Sequence, residues 1–272
     1  MKRWVSLFAV LGAVAACNGE AGDAADPVPT ESATPSPAAT ASAAASSNGA
    51  RSVADETDDF LFEFSYPAEA GRIVELASLL DIQLEQRRAE LARESAEARR
   101  EAREDGFPYN KHSYTAEWKV VAETPGWLSL SADVATFSGG AHGNYTVDSL
   151  VWDKKAEEAM DAKRLFASAA ALEEALGERF CEGLDREREK RRGAPLAAEE
   201  GGNSFLDCPG IDELEILVGS SNRRAFDRLT VYAGPYVAGP YAEGAYEVDL
   251  PVDAAILAAV KPEYRDAFSA RN

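Results

Sequence analysis

The chain has 272 residues, room for one or two domains, and its 47 Asp and Glu against 28 Lys and Arg give a net charge of −19. A chain this acidic lacks the basic surface that neutralises phosphates, which excludes a nucleic-acid partner. The charge suits either solubility alone or attraction of a basic partner.

Only the N-terminus is apolar enough to enter a membrane. Met1-Lys2-Arg3 is a basic start, and Trp4 to Ala16 is an apolar run shorter than the roughly 20 residues a spanning helix needs. The run ends Val14-Ala15-Ala16-Cys17, which resembles a bacterial lipobox, so residues 1–17 read as a lipoprotein signal peptide with Cys17 as the lipidated residue. Asn18 in place of an Asp implies, by the same resemblance, sorting to the periplasmic side of an outer membrane. Contact with a membrane is then expected only through that lipid. Residues 18–56 are rich in Ala, Ser, Pro and Thr, too poor in apolar surface to offset the entropy of ordering, and read as a disordered tether with a reach of about 35 Å.

Asp58 to Tyr66 alternates Phe60, Phe62 and Phe64 with more polar residues, the period of a strand that Pro67 stops. Gly71 to Asp105 reads as one long helix, with Ile73, Leu76, Leu80, Leu84 and Leu91 forming the stripe that packs on a sheet. Beyond Glu85 it is mostly Glu, Arg and Ala, with Arg93/Glu97 and Arg100/Glu104 spaced to pair on a solvated face or on a partner-binding arm.

His112 to Glu123, Trp127 to Phe137 and Tyr145 to Asp153 read as successive antiparallel strands, joined first by Pro125-Gly126 and then by Ser138-Gly139-Gly140-Ala141-His142-Gly143-Asn144. Lys163 to Lys190 reads as a second helix and Gly193 to Gly202 as a loop. Glu213 to Val218, Arg228 to Ala233 and Ala245 to Leu250 read as three more strands, followed by a short helix opened by Pro251-Val252-Asp253. The expected class is α+β: a mostly antiparallel sheet with one long N-terminal helix and a second helix packed on it. Cys181 and Cys208 sit in an exported chain and are expected to form a disulfide worth about 3–4 kcal/mol. They are too few, and too far from a histidine in sequence, for a zinc shell.

Three sets of residues together resemble the RsiV/PdaC-type exported domain pair, a deacetylase-associated domain followed by the RsiV C-terminal domain. The first is Phe64-Ser65-Tyr66-Pro67 before the long helix. The second is Leu128-Ser129-Leu130 leading through the glycine cluster to Asp161-Ala162-Lys163-Arg164-Leu165-Phe166. The third is Tyr236-Val237-Ala238-Gly239-Pro240-Tyr241-Ala242-Glu243-Gly244 followed by Tyr246-Glu247-Val248-Asp249-Leu250-Pro251. The resemblance spans about Asp58 to Val260. It implies an N-terminal PdaC-associated part at 57–137, an RsiV-like part at 138–272, and, as in RsiV, direct binding of lysozyme. Unlike RsiV, the sequence shows no spanning helix or cytoplasmic segment. Unlike PdaC, it shows no metal-dependent deacetylase set of Asp and His.

The candidate binding residues are therefore Gly140, His142, Asn144, Tyr236, Tyr241 and Glu243, with no catalytic residue, metal or cofactor expected. The leading reading is an envelope lipoprotein that binds a basic, lysozyme-type muramidase or peptidoglycan. The alternatives are a cell-wall hydrolase using His142 as base and a structural lipoprotein whose glycine motifs serve only the fold. Ser138 lacks the surroundings of a nucleophile elbow. Asp148 and Asp153 flank the strand after His142, without a spacing that pairs them with it.

Overall fold

Alternating aromatic residues make β2 (Phe60–Tyr66) the centre of the first layer: Phe60, Phe62, Phe64 and Tyr66 are all buried. After Pro67 comes a single turn of helix, α1 (Ala68–Gly71), and then α2 (Val74–Asp105), 32 residues and about 48 Å long. Leu76, Leu80, Leu84 and Leu91 of α2 are buried against the sheet, and Gly106, at φ 75°, ends the helix in the left-handed conformation that glycine adopts freely. The computed structural model describes residues 48–194, 196 and 204–271. The expected signal peptide with Cys17, the tether as far as residue 47 and most of the expected 193–202 loop lie outside the described residues.

The first sheet has six strands in sequence order: β1 (Arg51–Glu56), β2, β3 (His112–Glu123), β4 (Trp127–Phe137), β5 (Asn144–Asp153) and β6 (Glu158–Met160). Three expectations need correction here. Residues 51–56, assigned to the tether, form β1, which lies antiparallel along all of β2 from Arg51↔Tyr66 to Glu56↔Leu61. A polar edge strand can be held by backbone pairing and a few ion pairs, and Arg88 Nη2 lies 2.6 Å from Asp55 Oδ2. Next, β2 and β3 are parallel, because α2 carries the chain back to the start of the sheet before β3 begins, so the sheet is mixed. Finally, there are two sheets rather than one. The second is β7 (Leu214–Gly219), β8 (Arg228–Ala233) and β9 (Tyr246–Pro251), all antiparallel.

The charged half of α2 is tied down more than its sequence suggests. Arg99 pairs with Asp59, and Arg51 bridges from β1 to Asp81, which also accepts from the Tyr66 hydroxyl at 2.9 Å. Arg100 lies 3.9 Å from Glu104, as its spacing allows, whereas Arg93 pairs with neighbouring Glu94 at 3.4 Å rather than with Glu97.

The second helix, α3 (Ala169–Arg192), begins later than expected, because Ser168 accepts from the Ala171 N–H and starts it afresh after a 3-10 turn at Ala162–Leu165. It packs on the second sheet, not the first. At Gly183 a Cβ would stand 2.5 Å from Val248 of β9, so glycine is what permits the close approach. Cys181 of α3 is joined by a disulfide to Cys208, with Cα atoms 5.5 Å apart. Asp253 caps α4 (Ala254–Ala259) by accepting from the Ile256 N–H at 3.0 Å.

Two hydrophobic cores result. One lies between α2 and the first sheet. The other surrounds the second sheet, α3 and α4, and takes in Ala122, Val151 and Met160 from the first sheet's other face. The expected division between residues 137 and 138 falls at the tip of the β4–β5 hairpin. Among the described residues no helix is long and apolar enough to cross a membrane.

Candidate binding site at the junction of two glycine-rich turns

The first turn closes the β4–β5 hairpin, whose last pair is Thr136↔Asn144. Gly139 takes φ 88°, and a Cβ on Gly143 would stand 2.8 Å from the Thr136 carbonyl, so this tip needs glycine for both its path and its closure. His142 stands exposed on the tip. Its Nδ1–H donates to the Gly143 carbonyl at 2.8 Å, which leaves Nε2 to accept from the Tyr236 hydroxyl at 3.2 Å.

The second turn joins β8 to β9. Tyr236 holds a φ of 68°, costly for a residue with a side chain, with its N–H bonded to the Gly239 carbonyl at 3.1 Å. Tyr241 donates to the Gly143 carbonyl at 2.8 Å and stacks on His142, with ring centres 3.9 Å apart and planes 21° apart. Tyr236 lies 5.6 Å from Tyr241, and Tyr145 meets Tyr241 edge-on at 6.1 Å. Two motifs about a hundred residues apart in sequence thus form one cluster of rings. Tyr236 is 52% exposed and Tyr145 37%, so the cluster presents aromatic surface to solvent.

Of the other candidates, Gly140 and Asn144 sit exposed on the first turn. Glu243 is turned inward. Arg192 grips its carboxylate with Nε at 2.8 Å and Nη2 at 2.9 Å, and the Tyr246 hydroxyl donates to it as well. Arg192 first, then Tyr246, holds this carboxyl below the usual carboxylate range against the opposing effect of burial. Arg191 lies 4.0 Å over the Tyr246 ring and donates to the Glu243 and Ala245 carbonyls. A Cβ on Gly239 would stand 2.4 Å from Glu243 Oε2. Behind the turn, fully buried Arg188 donates to the carbonyls of Ala238, Leu206 and Asp207.

Among the described residues, the polar and ring contacts of His142 are Gly143, Tyr236 and Tyr241, with no carboxylate among them. Asp148 lies elsewhere, opposite Ala132 and near Arg87, where burial pushes its carboxyl up. Asp153 accepts from the N–H groups of Lys155 and Ala156 in a turn. Among the described residues no group of three or more His, Cys, Asp or Glu is placed to hold a metal ion.

Beside the ring cluster, and sharing Tyr145 with it, a cleft of about 690 Å³ opens between the outward faces of the two sheets. Glu63, Glu117 and Asp133 line it from the first sheet, and Tyr232 and Glu247 from the second. Sequence reasoning missed this cleft. Each of these carboxylates stands at an outward position of its strand, where alternation predicts contact with water, and nothing in the sequence places the two outward faces opposite each other.

Residues 53–145 match the family model described as "Deacetylase PdaC". A DUF3298 family protein of Pseudomonas aeruginosa PAO1 is similar in structure, with 14% identity, 83% of this chain and 99% of that chain covered, and a TM-score of 0.47. A member of the same family from Bacteroides fragilis NCTC 9343 has 15% identity, 78% of this chain and 92% of that chain covered, and a TM-score of 0.45. No curated protein matches the chain. Residues 53–145 are thus similar to a PdaC-type domain, a match that ends at the second residue of β5.

Proposed function

We propose that the folded chain is a binding module of the cell envelope, exported and held by a lipid on Cys17, that recognises a basic wall-active protein of the lysozyme type. The ring cluster of His142, Tyr236, Tyr241 and Tyr145 is its contact face. The first turn lies within residues 53–145, which match the PdaC model, and the second lies outside that match. The observation that carries this reading is the convergence of the two turns: His142 stacks on Tyr241 at 3.9 Å and accepts from Tyr236 at 3.2 Å, in a cluster whose tyrosines reach solvent. Rigid tyrosines with a flat apolar body and a polar tip are the side chains that anchor protein interfaces. The net charge of −19 steers a basic partner and makes the association weaken as salt rises.

The test is calorimetric titration of the full chain with lysozyme-type muramidases at low and physiological salt. Saturable binding is expected, weakened by salt and by His142→Ala or Tyr236→Ala. No binding at low salt with any of them, on a chain shown to be folded, defeats the reading. Binding to peptidoglycan fragments in their place reassigns the face to the wall polymer.

A further inference from the structure

The cleft between the sheets has a chemical character of its own. Its lining charges are all negative: Glu63, Glu117, Asp133 and Glu247. The remaining polar side chains there are the hydroxyls of Ser, Thr and Tyr. Among the described residues no Lys, Arg, His, Asn or Gln lines it. It is therefore rich in acceptors and holds no side chain that is a donor only.

Two of the carboxylates already show what they accept. Lys119 Nζ lies 2.6 Å from Asp133 and 3.0 Å from Glu117, across the β3–β4 pair. Among the described residues, Glu63 and Glu247 have no such cation. The cleft also holds a nearly buried tyrosine whose hydroxyl, among the described residues, has no hydrogen-bond partner. Tyr232 is only 4% exposed and lines the cleft, and among the described residues its hydroxyl makes no hydrogen bond. Burial first, then Tyr145, Glu247 and Asp133, pushes that hydroxyl up to about 12, so it stays a neutral phenol throughout the physiological range. The hydroxyl oxygen is not one of the fully buried unpaired atoms, so it opens onto the cleft, where an incoming donor can reach it.

We infer that the cleft is the acceptor site for arginine or lysine side chains of an extended segment of a basic protein, with Tyr232 at its floor and Glu63 and Glu247 receiving the charge. A guanidinium carries five N–H donors and no acceptor, the complement of a cleft built of carboxylates and hydroxyls. The Tyr232 oxygen accepts one N–H while its own O–H is free to donate to a carboxylate. Tyr145, shared with the ring cluster, makes the cleft continuous with the proposed contact face. The inference deepens the proposed function and rests on it for the partner's being a protein; the preference for cationic groups stands on the cleft alone.

The test is calorimetric titration of the full chain with a hexa-arginine peptide, with hexa-glutamate and spermine as comparisons. Hexa-arginine is expected to bind saturably and to weaken with salt, and hexa-glutamate not to bind. Tyr232→Phe, which keeps the ring, is expected to weaken the peptide about tenfold. Glu63→Gln with Glu247→Gln is expected to weaken it further and to flatten the salt dependence. His142→Ala leaves the peptide's affinity unchanged while reducing binding of a muramidase, which separates failure of the cleft from failure of the ring cluster. An affinity unchanged by both the Tyr232 and the paired Glu variants, or no binding of hexa-arginine to the folded chain, overturns the inference. Spermine binding as tightly as the peptide overturns the assignment to a protein segment.

Discussion

At the junction of the two turns the polar groups answer one another, whereas in the cleft beside it several have no partner among the described residues. The Gly143 carbonyl accepts from both His142 and Tyr241, and the Glu243 carboxylate is shared by Arg192 and Tyr246. Beside it, among the described residues, the Tyr232 hydroxyl opens to the cleft without a hydrogen bond, and Glu63 and Glu247 line the cleft without a cation. Both regions draw on acidic and tyrosine side chains, so residue type alone does not separate them. What separates them is whether an arginine of the same chain reaches in. Arg188, Arg191 and Arg192, all from the last turns of α3, serve the second glycine-rich turn, and none of them lines the cleft.

This contrast can be broken most severely at Arg188. Its guanidinium serves the carbonyls of Ala238, Leu206 and Asp207 and pairs with Asp185; only the bond to Ala238 is wholly interior, and Arg188→Met leaves that carbonyl unpaired. The expected loss is about 3–5 kcal/mol, measurable as a lower urea midpoint. An unchanged midpoint means that the second turn is not held from behind.

A smaller effect, about 2 kcal/mol, is expected for Glu243→Gln, which removes the charge from two hydrogen bonds donated by Arg192. This effect depends on pH. The folded carboxyl sits below its unfolded value, so its contribution is fully present above the ordinary glutamate range and is lost as pH falls through the lower folded value. The wild type and Glu243→Gln should therefore converge in stability on acidification. Parallel curves across that range contradict the ion-pair account.

Gly143→Ala should cost about 1–3 kcal/mol, because the added Cβ meets a backbone carbonyl at 2.8 Å that cannot move without disturbing the hairpin. Near-UV circular dichroism should lose part of its tyrosine signal in the same variant as Tyr241 loses its acceptor.

The smallest effect on stability belongs to the cleft. Tyr232→Phe removes a hydroxyl that, among the described residues, has no partner, so the midpoint should stay within about 0.5 kcal/mol of wild type or rise. A large loss would show that the hydroxyl has a structural task inside the fold.

Most strands and the end of the long helix were legible, because Phe60, Phe62 and Phe64 alternate and Leu76, Leu80 and Leu84 recur at helical spacing; its start was not, since Gly71 closes a separate turn and the helix begins at Val74. The edge strand β1 was not. Arg51-Ser52-Val53-Ala54-Asp55-Glu56 has little apolar surface, and its order comes from backbone pairing with β2 and from Arg88. Nor was the split into two sheets, since alternation states that a residue faces out but not what it faces. For the same reason Glu63 and Glu247 read as solvated positions. The two glycine-rich turns were visible as motifs, but their meeting depends on how the second sheet sits on the first. Glu243 was singled out as a candidate contact, and the nearness of Arg192 that turns it inward is a product of α3 packing, beyond the reach of local spacing.

In the proposed function the two turns form one contact face for a basic protein. The most direct measurement is amide hydrogen exchange of the full chain, alone and saturated with a lysozyme-type muramidase. Slowed exchange is expected to be strongest at residues 138–145 and 234–244, with the neighbouring cleft strands next in order. Protection along the exposed face of α2, with both turns unchanged, would contradict it.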